Sequence, residues 1–218
     1  MRILICGPEE SKWKPEQKPK AKSEIEHILL MKGTLIKKEI VPDQVDLSNL
    51  IVVSGHCPKG EEKWYCIACD EFVDSFTHSQ GHMNQAIKVY DQGGVDTWSE
   101  IISTKLGIKK EIYPAICYME EFKGHTIEGC KEWYQTYPDY KGFREHFWNY
   151  HFKPRNIDMA KVCDVCYCII PKDKTKICRY CWKEASTVLV SEHPTNGCCW
   201  TMKYAKELKK ETHLIVIE

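Results

Sequence analysis

"NLIVVSGH" (49–56) is the stretch that decides the fold. Four apolar residues, Leu50 to Val53, run without interruption into Ser54, Gly55 and His56. A short apolar run closed by turn residues reads as a buried strand. The same signature opens the chain, where "RILIC" (2–6) stops at Gly7-Pro8. Between the two, "ESKWKPEQKPKAKSE" (10–24) is Lys-rich and broken by prolines, which predicts a mobile loop. "AKSEIEHILLMKG" (21–33) then sets Ile25, Ile28 and Leu29 on one helical face, with Gly33 as its stop.

Downstream the alternation continues. "GGVDTWSEIISTKLG" (93–107) gathers Trp98, Ile101, Ile102 and Leu106 on one face and ends at Gly107. "IKKEIYPA" (108–115) predicts a strand, and "YKGFREHFWNYHFKPRNIDMAKVCD" (140–164) a helix, a break at Pro154 and a second helix. "VCYCII" (165–170), the helical "NGCCWTMKYAKELKKE" (196–211) and "HLIVIE" (213–218) complete the series. Strands alternating with helices specify an α/β fold, a doubly wound and mostly parallel sheet. Ligands of such sheets sit beyond the carboxyl ends of the strands, so "CGPEES", "SGHCPKG", "PAICYM" and "HPTNGCCWT" are where function is sought.

Composition narrows the classes. Lys plus Arg (31) equals Asp plus Glu (31), which argues against a broad nonspecific nucleic-acid surface, although a local basic patch stays open. No apolar run reaches the roughly 20 residues of a membrane span. The opening "MRILICGPEE" lacks the form of a signal peptide, so a cytoplasmic, intracellular location is expected. The sequence leaves a homo-oligomer open. In a reducing compartment, 13 cysteines that include close CxxC pairs point to metal rather than disulfides.

The order of "MRILICG", "IVVSGHCPKG" with "GGVDTWSEI", "IYPA", "KPRNIDMAKVCDVCYCII" and "NGCCWT" resembles the SLOG superfamily of Rossmann-like nucleotide-binding domains. That group includes the YspA-like proteins, the cytokinin-activating phosphoribohydrolases and DNA-processing protein A. The resemblance covers most of the chain as a single domain (1–218), but not 58–92 or roughly 171–192. It implies a Rossmann-like sheet and a nucleotide-derived small molecule as partner.

The residues argue the same way. Gly7, Ser54, Gly55, His56, Gly94 and Asp96 lie at strand ends or helix starts, where backbone N–H groups meet anions, or else they are ordinary turn residues. Arg155 and Asn156 in "KPRN" match the family's RN pair; Arg155 either grips a phosphate or carboxylate or pairs with Asp158. "PTNGCCWT" stands where the phosphoribohydrolases carry a PGGxGTxxE loop, which brings in Gly197 and Thr201. Cys198 replaces a glycine of that loop and no glutamate follows Thr201 at the required spacing. A binding or sensing module is therefore favoured over an enzyme acting on an N-glycosidic bond, whether phosphoribohydrolase or deoxyribosyltransferase, and no catalytic residue is assigned.

Two insertions are read as zinc sites. In 58–92, Cys66-x2-Cys69 with His78-x3-His82 resembles a shortened C2H2 finger, its spacer eight residues against about 12 in the usual form, and Cys57 is a stand-in for one histidine. This finger is read as a fold staple ahead of nucleic-acid recognition. In 164–193, Cys168, Cys178, Cys181 and His193 form the preferred set. The runner-up is Cys163, Cys166, Cys178 and Cys181, with CxxC-x11-CxxC spacing. The aromatic run 132–152 either stacks a base or packs on the sheet.

Overall fold

This computed structural model describes residues 1–36, 44–57, 59–73, 86–115, 148–181, 192–194 and 196–218. In chain order the strands are β1 (Arg2–Cys6), β2 (Thr34–Ile36), β3 (Gln44–Asp46), β4 (Ile51–Ser54), β5 (Glu62–Cys66), β6 (Glu71–Val73), β7 (Ala86–Tyr90), β8 (Lys109–Ile112), β9 (Val165–Pro171) and β10 (Glu211–Ile217). The helices are α1 (Gln17–Lys32), α2 (Val95–Lys105), α3 (Lys153–Val162) and α4 (Gly197–Glu207). The main sheet has five parallel strands in the order β10-β9-β1-β4-β8. The chain builds outward from β1 in one direction, then returns to its other side at β9.

Side-chain alternation along the central strands divides the core. Ile3, Ile5, Val52, Tyr167 and Ile169 pack with Ile25 and Leu29 of α1 and Val95 and Trp98 of α2. Leu4, Cys6, Val53, Cys166, Cys168 and Ile170 pack with Met159 of α3 and Cys199, Met202 and Ala205 of α4. Both faces are thus covered by helices, and every residue of β9 is buried. The second face is rich in sulfur because Cys6 pairs in register with Cys168, so both point to α4.

Edge strand β8 carries "KKEI", a charged sequence suited to a strand with one free side. Glu111 on it bridges to Arg2 at 3.1 Å. On the far side of α2, the described residues of the 58–92 segment form a three-stranded antiparallel sheet, β6-β5-β7, and Tyr65 and Val89 pack against Ile101. Held between this sheet and α1, α2 buries even its polar residues Asp96, Ser99 and Glu100.

Two sequence expectations need correction. The Lys-rich stretch 10–24 is not a loop: it forms a short turn at Glu10–Lys12 and the first two turns of α1, with Pro19 tolerated there. Trp13 anchors it, 5% exposed, its ring 5.4 Å from that of Trp98 and its Nε1–H donating to the Pro8 carbonyl. Pro154 does not break a helix: it occupies the first turn of α3, directly after a π-helical turn at Trp148–Phe152. The antiparallel pair β2–β3 was not anticipated.

Candidate metal centre and adjoining cavity

Four side chains converge beyond the carboxyl end of β9. Cys178 and Cys181 lie in the segment that leaves the strand, His193 precedes α4, and Cys199 sits in the first turn of that helix. Their ligand atoms all lie within 4.8 Å of one another, and all four residues are buried. Tetrahedral coordination with metal–sulfur bonds of about 2.3 Å fits within this spacing.

His193 is oriented for the task. It is fully buried, and its Nδ1 lies 2.8 Å from the Pro194 carbonyl, which can only accept. Nδ1 therefore carries the proton and Nε2 the lone pair. That Nε2 is buried with no hydrogen-bond partner among the described residues. An orphaned ring nitrogen whose partner nitrogen bonds a backbone carbonyl is the arrangement of a metal-bound histidine. The sulfurs share hydrogen bonds among themselves: those from Cys181 and Cys199 hold the Cys178 thiol well below its usual range, while Cys181 is pushed up by the same contact. A cation would resolve that sharing.

The fourth member of this cluster is Cys199 and not Cys168, which falls in a second group with Cys198 and Cys199, also within 4.8 Å of one another and buried. The alternation of β9 aims Cys168 at the start of α4, one helix residue short of the first centre. The Cys163 and Cys166 set does not form. Cys163 closes α3, its Sγ–H donating to the Ala160 carbonyl at 3.4 Å, and burial pushes its thiol to about 11. Cys166 contacts Cys6 inside the core. The signal for Cys199 was present in "GCCWT", a cysteine pair at a helix start.

In the other insertion, Cys66 ends β5 and Cys69 lies in the turn to β6, their thiols in hydrogen-bond contact. Asp70, at φ 62°, donates its N–H to the Cys66 carbonyl at 2.9 Å and closes the turn. His78 and His82 lie outside the described residues.

A cavity of about 410 Å³ opens at the carboxyl end of β1, against the starts of α3 and α4. Six residues singled out in the sequence line it: Gly7, Asp96, Arg155, Asn156, Gly197 and Thr201. Trp148, Phe152, Cys6 and Cys198 join them, the aromatics from the run read as stacking a base or packing on the sheet, the cysteines from two of the strand-end loops. The Arg155 guanidinium lies over the Phe152 ring at 5.2 Å, donates to the Gly55 carbonyl at 2.8 Å and to Asn156 Oδ1 at 3.0 Å. It bonds its neighbours across the fold, in place of the Asp158 pairing considered from sequence.

Four expected ligand residues do not line the cavity. Ser54 is fully buried and donates to Glu100 Oε1 at 2.6 Å. His56 faces the same carboxylate, Nδ1 to Oε2 at 2.9 Å; burial disfavours its charged form, but Glu100 outweighs this and leaves its pKa raised. A side chain at Gly55 would strike Asp96 Oδ2 and Arg155 Cζ, at 2.9 and 3.0 Å. Gly94, at φ 65°, abuts the backbone of Pro8–Glu10, and the Val95 N–H donates to the Pro8 carbonyl, so protein rather than ligand caps α2. Cys57 also faces the cavity, its thiol pushed up to about 12 by burial.

Asp96, 6% exposed on the cavity wall, has a carboxyl pushed up to about 7, chiefly by burial and against the pull of Arg155. Its folded pKa exceeds its ordinary 3.8, so between those values unfolding releases a proton and stability falls as pH rises. Asp96→Asn is expected to flatten that decline, by on the order of a few kcal/mol at pH 8. Urea titrations of both proteins from pH 4 to 8 check it, and parallel profiles would place the titration elsewhere.

No helix among the described residues is long and apolar enough to cross a membrane. Comparison of the chain with protein-family models, curated proteins and solved structures finds no match.

Proposed function

We propose that this chain is a zinc-stapled, Rossmann-like domain of SLOG type that binds a nucleotide or nucleotide sugar as a sensor or binding module. The observation that carries the reading is the cavity's position and wall. It lies where the strand order reverses between β1 and β9, the switch point at which doubly wound sheets take nucleotides. Arg155 supplies positive charge, the Asn196–Gly197 start of α4 supplies backbone N–H groups, and Trp148 and Phe152 supply ring faces for a base.

Three sulfurs and one imidazole nitrogen favour zinc at Cys178, Cys181, His193 and Cys199, a closed four-ligand set of structural type. The finger-like insertion, Cys66 and Cys69 with His78 and His82, is proposed to take a second zinc.

A thermal-shift panel of nucleoside phosphates, ADP-ribose and dinucleotides on metallated protein tests the ligand. At least one member is expected to raise the melting temperature by several degrees, and Arg155→Ala to weaken its affinity roughly tenfold or more, as for a lost charge-assisted bond. No shift across the panel would refute the nucleotide reading.

Asp96 gives one observation to a second reading. A carboxyl titrating near 7 on the cavity wall is suited to general acid–base chemistry, as N-glycosidic cleavage would need. Release of free base from nucleoside monophosphates distinguishes an enzyme from a binding module.

A further inference from the structure

Cys198 and Cys199 are consecutive at the start of α4, and neighbours on a helix diverge by about 100°. One therefore serves the closed centre, while the other turns to the cavity that it lines beside Cys6. Cys168 reaches up from β9 to both of them. Ordinary core packing accounts for a buried cysteine singly. It gives no reason for three sulfurs to meet within 4.8 Å and to share one of them with a four-ligand set.

We infer that Cys168, Cys198 and Cys199 hold a further thiophilic ion, bridged to the first through Cys199 Sγ and presenting an open coordination position to the cavity. Three protein ligands with one free position distinguish a metal that meets a ligand from one that only staples a fold. The free position lies on the Cys198 side, since β9 and α4 close the others. The ion is a soft or borderline divalent cation of the zinc class. Its fourth ligand is water, or one nitrogen, oxygen or sulfur donor from whatever occupies the cavity. The two ions together would meet five thiolates, which leaves one net negative charge near Arg155. The inference builds on the proposed zinc centre through Cys199 alone.

Metal content of the full chain, purified under reducing conditions, tests this by difference. Cys198→Ala is expected to lose one equivalent of zinc relative to wild type while it keeps its far-ultraviolet spectrum and cooperative melting. Equal zinc in the two proteins would overturn the inference. Cobalt(II) loading of the wild-type chain decides the matter independently of that variant's folding. A thiolate bridge couples two cobalt ions magnetically, so the integrated electron paramagnetic resonance signal should fall as loading is completed. A signal that rises in step with cobalt to saturation would overturn it. Failure of the first centre reads differently: Cys178→Ser would then lose no metal.

Discussion

Replacement of Cys178 and Cys181 together by serine is expected to abolish folding at 37 °C. Both sulfurs are buried, so the variant leaves two hydroxyls and the lone pair of His193 Nε2 without a cation. The binding free energy of a structural zinc site is folding free energy, about 10–16 kcal/mol in small zinc domains, against a total stability of about 5–15 kcal/mol for a typical domain. A cation there would also tie the segment leaving β9, which carries Cys178 and Cys181, to the first turn of α4, which carries Cys199. Soluble variant protein with the wild-type melting temperature would show that these cysteines are not structural.

Gly94→Val is expected to cost about 3–5 kcal/mol, the sum of a left-handed backbone forced on a branched residue and an overpacked contact. A Cβ there would lie 2.7 Å from Glu10 N, against backbone that has no rotamer with which to move aside. The β1–α1 connection would have to shift, and it forms one wall of the cavity through Pro8 and Glu9. Denaturant unfolding measures this, and a change below 1 kcal/mol would mean that the two backbones are not in contact.

The strands most legible in the sequence are those buried on both faces. "IVVS" and "VCYCII" carry unbroken apolar runs because helices cover both sides, whereas β5 and β7 pack one face on α2 and present weaker patterns. The Lys-rich start of α1 was misread because Trp13 and Gln17, not its own turns, fix it: Gln17 Nε2 donates to the Ile217 carbonyl 200 residues away. Sequence spacing suggested Cys178, Cys181 and His193, since CxxC is a local signal. It preferred Cys168 to Cys163 and Cys166 and did not bring in Cys199, because that depends on which side of β9 faces α4. Likewise the glycines at strand ends mark the edge of the sheet at which the cavity opens, yet Gly55 and Gly94 serve close approaches within the protein.

The central claim is most directly tested by anomalous diffraction above and below the zinc absorption edge, on crystals of the full chain grown without added metal. The account predicts a zinc peak about 2.3 Å from the sulfurs of Cys178, Cys181 and Cys199, and about 2.0–2.1 Å from His193 Nε2. Ordered side chains at these four residues with no anomalous peak between them would contradict it.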